Sequence, residues 1–350
     1  MSSKKKLILS TAWRSNIPLK LEKNFYTRLF RLRLLFFIVL ATFVSQLSAL
    51  PFGESGNNFD WKNSKSSYGG VMCITKLNTQ NPRPIKLNAV RLELAKVLPI
   101  LTKKDKDFGK PMPDYPQHTI RTKRQTTREF VENLLSENKQ LKIVFACNTA
   151  PWRPWTKPFT HAYADYRGYI VSDGDVISTG FVNENDLFPI LYWDKQGQIG
   201  ITTPSANENL TPYKHAIFAF TLLLKDGVSY NDMPVQKGLA THSDFQKLYP
   251  TINKILFPSI AIGFDKDKKY LYIVGVDGRQ PKISEGVYAK EMAKIIKYFG
   301  AYNAVLMDGG GSTTLLCVDE NTKEISRLNT HPKKNVERKV GFSIAFELKE

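Results

Sequence analysis

The distribution of apolar and polar positions along the chain predicts many strands and few helices. Apolar residues recur at helical spacing at 127–135 and 287–299. Short runs rich in β-branched, leucine and aromatic residues have the length of strands, and they lie at 71–77, 88–94, 141–147, 169–171, 216–224, 259–264, 270–276, 304–307, 313–318 and 340–348. This balance predicts an α+β or mixed α/β fold, with a single domain built on twisted mixed β-sheets.

The segment from 270 to 318 carries the most information about a site. A buried-strand run at 270–276 ends in Asp277-Gly278-Arg279, and the second predicted helix follows it, closed by Gly300. A second strand, at 304–307, ends in Asp308-Gly309-Gly310-Gly311. Strand, helix and strand over this length predict a βαβ unit. If its strands are neighbours, both Asp-Gly turns lie at one sheet edge, where ligands bind in α/β proteins.

The three consecutive glycines at 309–311 need an explanation, because glycine loses more backbone entropy on folding than any other residue. Close approach of another group or a left-handed conformation would provide one. Successive amides in such a loop can also form a concavity that binds anions, with the Ser312 and Thr313 hydroxyls as further donors. The alternative is a tight turn without a ligand. A P-loop is excluded, because no lysine follows the glycines.

Three other residues are candidates for the same site. Arg279 could bind two phosphate oxygens at once, or form a surface ion pair instead. Glu291 flanks the apolar stripe of the second helix, so it should be partly buried with a partner, catalytic or structural. Asn148 ends the strand at 141–147 and opens a segment rich in Trp and Pro, which predicts either an aromatic wall for a sugar ring or a packed loop.

Charge and hydropathy divide the chain into three parts. The net charge is +18, and residues 1–49 hold nine basic residues and one acidic residue. An apolar run at 34–41 follows the last of these bases and is too short to span a bilayer. We therefore expect a signal peptide at 1–49 (or an uncleaved anchor through 34–50), a polar linker at 50–67 and the catalytic domain at 68–350. This predicts an exported protein, secreted or periplasmic, with membrane attachment only if the leader stays uncleaved.

Several other classes of site find no support in the sequence. The five histidines lack zinc-ligand spacing, so we expect no metal and no cofactor. Cys73, Cys147 and Cys317 lie in apolar runs and are expected to be small buried residues. The alternative is one disulfide between two of them. No Gly-x-Ser-x-Gly elbow is present. Nucleic-acid binding is disfavoured by export and by the absence of a known module. The basic excess predicts either a phosphate-bearing partner or a solvated face.

The segments at 276–279, 286–291, 300–301 and 306–313 together resemble the C-terminal signature of the phosphodiester glycosidase family. Residues 124–130, Asn148 with Trp152, and the last strand with the preceding Arg338 extend the resemblance over about 68–348. It implies a catalytic domain that hydrolyses a sugar-1-phosphodiester or phosphate-linked glycan, releasing the sugar and leaving a phosphomonoester. The site residues that it implies are Asn148, Asp277, Arg279, Glu291, Asp308, Gly309, Gly310, Gly311, Ser312 and Arg338.

Physical chemistry assigns roles within this set. The departing phosphate monoester has a second pKa of about 6, so it needs little acid assistance. A carboxylate must activate water or attack C1. We expect Asp308 or Glu291 to do so, with Asp277 in the same catalytic group. Arg279, Arg338 and the glycine amides would hold the phosphate.

One departure from the family pattern leaves alternatives open. The family usually has an arginine in the strand that here reads 258–263, and Pro258 or Ser259 stands in its place. The protein could bind a different diester, use Arg279 or Arg338 instead, or be a weakened catalyst. The alternatives to a glycosidase are a non-catalytic protein that binds phosphate-linked glycans and a phosphodiesterase that cleaves the P–O bond.

Overall fold

The computed structural model describes residues 58–180, 188–205, 207–229, 254–331 and 336–349, so the predicted leader lies outside the described residues. Two α-helices occur in these residues, α1 (Thr127–Glu137) and α2 (Ala289–Tyr298). The first strands are β1 (Lys65–Ser67), β2 (Met72–Thr79), β3 (Ile85–Glu93), β4 (Val97–Leu101), β5 (Thr122–Lys123), β6 (Ile143–Asn148), β7 (Tyr163–Ala164), β8 (Tyr169–Ser172), β9 (Asp175–Thr179) and β10 (Ile190–Asp194). The others are β11 (Ile199–Thr202), β12 (Tyr213–Phe218), β13 (Thr221–Lys225), β14 (Val228–Ser229), β15 (Ser259–Phe264), β16 (Tyr270–Val276), β17 (Asn303–Leu306), β18 (Leu315–Val318), β19 (Ile325–Arg327) and β20 (Ser343–Leu348).

The described strands form three main sheets and one short pair. The first sheet has the order β1-β2-β3-β16-β15-β17-β13-β14. The second has the order β19-β18-β6-β20-β4, and the third β11-β10-β12-β8-β9. Every strand pair among the described residues is antiparallel. The structure thus confirms a mainly β fold with few helices, whereas the expectation of mixed sheets is wrong.

The predicted βαβ unit is interrupted by a third strand. β16, α2 and β17 follow one another as expected, but β15 lies between β16 and β17 and pairs antiparallel with both. The reason is local: the short turn after β15 pairs it with β16 as a hairpin, in which the Tyr270 amide donates to Asp265 Oδ1 at 2.8 Å. β17 then adds to the free edge of β15. Since β16 and β17 both run against β15, their carboxyl ends still share one edge of the sheet.

The core has the alternation expected of stacked layers. In β15, Ile260 and Ile262 pack towards the second sheet, whereas Ala261 packs against α2. α2 buries Met292 and Ile295 completely. On the far side of the second sheet, α1 covers a smaller cluster that includes Ala146, Leu316 and Ala345. The order is therefore α2, first sheet, second sheet, α1.

Local signals explain how well each element could be predicted. α1 begins with a capping box, in which Thr126 Oγ1 accepts from the Glu129 amide at 2.9 Å and Glu129 Oε2 from the Thr126 amide at 2.7 Å. β15 and β16 have the predicted bounds, whereas the run predicted at 216–224 divides into β12 and β13. The three cysteines form no disulfide, and Cys73 and Cys147 are buried. None of the described helices has the length and apolar character needed to cross a membrane.

Candidate active site

The glycine loop, residues 308–314, crosses from β17 of the first sheet to β18 of the second sheet. Gly309 and Gly311 are needed for close packing. A Cβ on Gly309 would lie 2.4 Å from the Pro258 carbonyl oxygen, and one on Gly311 would lie 2.3 Å from Arg338 Nη2. Gly310 has φ +62, a left-handed conformation that favours glycine. The entropic cost of three glycines is thus explained by what approaches the loop.

The loop amides are engaged differently from the expected anion concavity. The Gly310 amide donates to the Pro258 carbonyl at 2.7 Å, and the Ser312 amide donates to the Gly309 carbonyl at 3.1 Å. The Thr313 amide donates to the Gly310 carbonyl at 3.4 Å. Of the expected glycine donors, the Gly310 amide is therefore used within the protein, and the Ser312 and Thr313 amides close the turn. The Thr313 hydroxyl, in contrast, is buried without a hydrogen-bond partner among the described residues, and the Ser312 hydroxyl faces the Asp308 carboxyl.

Two guanidinium groups approach the loop. The Arg279 nitrogens lie 3.2 and 3.3 Å from the place that a Cβ on Gly310 would take. Arg279 is exposed and adopts φ 59, which aims its side chain from the turn after β16. Arg338 reaches Gly311 from the segment before β20 and is half-buried. Burial lowers the pKa of Arg338, the Asp308 charge raises it and the Arg279 charge lowers it. Positive charge is therefore concentrated on one side of the loop.

Asp308 begins the loop and is buried, with 3% of its surface exposed. Burial raises the pKa of this carboxyl from its ordinary 3.8 to about 7. The Ser312 hydroxyl, the Arg338 charge, the Gly309 amide and Trp152 each lower the pKa without offsetting burial. The Trp152 indole nitrogen therefore faces the Asp308 carboxyl, although neither it nor Asp308 Oδ2 makes a hydrogen bond of standard geometry among the described residues.

Two buried asparagines hold the glycine loop in place. Asn148, at the end of β6, donates through Nδ2 to the Asp308 carbonyl at 2.9 Å and accepts through Oδ1 from the Thr314 amide at 2.9 Å. Asn329 donates to the Thr313 carbonyl and accepts from the Leu315 amide, both at 2.9 Å. Asn148 was among the expected site residues. Asn329 was not, because nothing in its polar segment of sequence distinguishes it.

Asp277 is fully buried at the turn after β16. Its carboxylate accepts from the Thr330 amide at 3.1 Å and from the Thr330 hydroxyl at 2.5 Å. Lys86 Nζ lies 3.8 Å away. Burial raises the pKa of Asp277, and the Thr330 hydrogen bonds and the Lys86 charge oppose that shift. The adjacent His331 places Nε2 2.9 Å from the Gly311 carbonyl oxygen, so Asp277 anchors a segment that contacts the glycine loop.

Glu291 lies at the start of α2. Its Oε2 accepts from the Tyr288 amide at 2.8 Å and pairs with Arg83 Nη2 at 2.5 Å. Arg83 also donates to the Gly286 carbonyl at 3.3 Å. Gly286 packs directly on the backbone of Phe257, beside the residue whose carbonyl holds the glycine loop. The expected partial burial and partner of Glu291 are therefore observed, and its contacts lie one layer behind the loop.

An aromatic wall borders the loop, formed by Trp152, Trp155 and Phe159. Their ring centroids lie 5.0 to 5.6 Å apart. Arg338 Cζ lies 4.9 Å from the Phe159 ring centroid and 5.6 Å from that of Trp155. The wall thus joins the arginine that contacts Gly311.

Arg124 supports the wall from behind and was not expected as a site residue. Its Cζ lies 4.1 Å from the Trp152 ring centroid. Its guanidinium donates to the carbonyls of Phe159, His161 and Lys339 at 3.0, 2.7 and 2.7 Å. The sequence placed Arg124 in a matching segment, but gave no indication that it is buried.

Ser259, one of the two positions at which the resemblance led us to expect an arginine, is buried at the start of β15. Its hydroxyl donates to the Phe257 carbonyl at 3.2 Å. Its Cα lies 3.4 Å from the place of a Cβ on Gly309. The position therefore adjoins the glycine loop that Arg279 and Arg338 approach from elsewhere. Among the described residues, no three His, Cys, Asp or Glu side chains are grouped to hold a metal ion.

The chain is similar to known proteins in family and in fold. A model of the phosphodiester glycosidase family matches residues 154–347. The catalytic domain of zebrafish N-acetylglucosamine-1-phosphodiester alpha-N-acetylglucosaminidase, auto-inhibited by its pro-peptide, matches with TM-score 0.55 and 20% identity, covering 82% of this chain and 86% of that chain. A hypothetical protein from Synechocystis matches with TM-score 0.49 and 11% identity, over 79% of this chain and 62% of that one. No curated protein sequence matches. At 20% identity, the match to the zebrafish domain shows the fold alone.

Proposed function

Because the chain belongs to the phosphodiester glycosidase family, we propose that it hydrolyses a sugar-1-phosphodiester. Water supplies the oxygen that bonds to C1 of the sugar, the C1–O bond breaks, and its electron pair leaves with the phosphate. The products are a free sugar and a phosphomonoester. Little acid assistance is needed for this leaving group, since its second pKa is about 6.

One observation carries the proposal: a buried carboxyl with a pKa of about 7 begins a short loop that two guanidinium groups approach. A general base works best when its pKa is near the working pH. Asp308 fits the base that activates water, or the nucleophile that attacks C1. Arg279 and Arg338 fit the phosphate, because guanidinium binds two oxygens at once. They would take the role of the family arginine that is missing at Pro258 or Ser259.

The other two carboxylates fit supporting parts. Asp277 uses its oxygens for Thr330, and Glu291 uses its own for Arg83 and the start of α2. We therefore assign both of them to positioning: Asp277 holds the segment that contacts Gly311, and Glu291 supports the Gly286 turn. Asn148 belongs to the same group, since it joins the two ends of the glycine loop.

Turnover of a panel of sugar-1-phosphodiesters, nucleotide sugars among them, tests the proposal. Asp308→Asn should reduce kcat at least about 100-fold with the fold intact, because a general base contributes that much. Asp267→Asn is the matched control. It makes the same change at an exposed residue in the β15–β16 turn, at the opposite end of these strands from Asp308.

Two outcomes would contradict parts of the proposal. If the unmodified chain binds members of the panel without turning them over, it is a binding protein. This is the alternative that the missing arginine at Pro258 or Ser259 leaves open. Turnover that survives in Asp308→Asn would show that Asp308 is not the base.

We also propose that the chain is exported, in keeping with its predicted leader.

A further inference from the structure

The two sides of the glycine loop differ in chemistry. On the buried side, Ser312 Oγ and Trp152 Nε1 face the carboxyl of Asp308, whose Oδ2 makes no hydrogen bond of standard geometry among the described residues. On the outer side, Trp155 keeps 55% of its surface exposed, although it packs against Trp152 and Phe159. Arg338 lies between these sides, against both Gly311 and the Trp155 ring.

The proposed reaction determines which arm of the substrate faces which side. A phosphodiester has two substituents, the sugar and the aglycone, and C1 of the sugar must reach the carboxyl of Asp308. The sugar therefore belongs on the side of the loop where Asp308 lies. With the phosphate on Arg279 and Arg338, the aglycone extends past Arg338 towards Trp155.

We infer that Trp155 is a specificity-determining residue, which stacks on a ring in the aglycone. The inference rests on the proposed function. Trp155 is held by two aromatic neighbours at 5.0 Å and by the Arg338 guanidinium, so little ordering remains to be done on binding. A large exposed indole beside a phosphate site matches the flat face of a nucleobase, a benzyl group or a hexose. A short acyclic aglycone would leave it uncovered.

Three diesters of one sugar 1-phosphate test the inference: the methyl, benzyl and hexosyl esters. For the unmodified chain, kcat/KM should be about tenfold higher with a ring in the aglycone than with methyl. Trp155→Ala should remove this preference through KM, with a larger loss for the two ring-bearing esters than for the methyl ester and little change in kcat. Trp155→Phe keeps an aromatic ring and should retain most of it. The benzyl and hexosyl esters distinguish an aromatic aglycone from a sugar one.

Binding of the same esters to Asp308→Asn, measured by calorimetry, separates the inference from the proposed function. The unmodified chain could show no turnover, while Asp308→Asn still prefers the ring-bearing esters and loses that preference with Trp155→Ala. This result would contradict the proposed function and support the aromatic subsite. Equal affinity for all three esters, or an equal loss for all three in Trp155→Ala, overturns the subsite whether or not turnover occurs.

Discussion

At the residue scale, burial and charge act in opposite directions on the carboxyl of Asp308. Withdrawal from water favours the neutral acid, whereas Arg338 and the neighbouring donors favour the carboxylate. The result is a carboxyl that titrates near neutral pH instead of near 4. The sequence could single out Asp308 from the glycines that follow it, but not this balance, because burial depends on β6 and on the wall from distant segments.

The first prediction concerns the pH dependence of turnover. If Asp308 acts as a base or nucleophile, it must be ionised, so kcat/KM should rise with pH and level off above an apparent pKa of about 7. A pH–rate profile measures this. A rate that falls with pH through the same range would mean that the protonated acid is the active form, against the assignment.

The second prediction concerns stability. A folded-state pKa of about 7, against about 3.9 in the unfolded chain, stabilises the fold at low pH, and this contribution is lost as pH rises from about 4 to 7. Asp308→Asn does not titrate. Relative to the unmodified chain, its free energy of unfolding should therefore increase by about 4 kcal/mol between pH 4 and pH 8. Denaturant unfolding of both proteins at the two pH values measures it, and a pH-independent difference would contradict the raised pKa.

The third prediction separates the two arginines. The Arg338 charge lowers the pKa of Asp308, so Arg338→Met should move the rising limb of the pH profile to higher pH. Arg338→Lys keeps the charge and should leave the limb closer to its original position. Arg279→Met serves as the comparison and should mainly raise KM. An unchanged limb in Arg338→Met would show that the two side chains are not coupled.

At the element scale, the site depends on how a loop between two sheets is held. The sequence predicted β16, α2 and β17 and the two Asp-Gly turns that follow the strands. It did not place β15 between them, because the hairpin pairing depends on a short turn that the strand pattern does not reveal. The turns meet even so, since both strands run against β15.

The fourth prediction tests this support. Asn148→Ala removes hydrogen bonds to both ends of the glycine loop and leaves the Asp308 carbonyl and the Thr314 amide buried without their partner. We expect a loss of stability of about 1–3 kcal/mol, together with lower kcat. Thermal and denaturant unfolding of Asn148→Ala measure the loss of stability. Asn329→Ala, at the second asparagine that holds the glycine loop, is measured for comparison. Full stability in Asn148→Ala would contradict this role.

At the scale of the whole molecule, the site lies where the first sheet passes into the second, and distant segments meet there. The family resemblance could identify Asp308, Arg279 and Arg338 because each stands in a segment that resembles the family pattern. Arg124 and Asn329 could not be found in this way, since their importance comes from packing against that motif. The hydrogen bond of the Gly310 amide could not be predicted either, because its acceptor is the carbonyl of Pro258, which is distant in the sequence.

The central claim is cleavage of the bond between the sugar and the phosphate oxygen, and the fate of the oxygen from water tests it most directly. Hydrolysis of a sugar-1-phosphodiester in water enriched in heavy oxygen, followed by mass spectrometry of both products, locates that oxygen. The account predicts label in the released sugar and none in the phosphomonoester. Label in the phosphomonoester would instead show cleavage of the P–O bond and contradict the account.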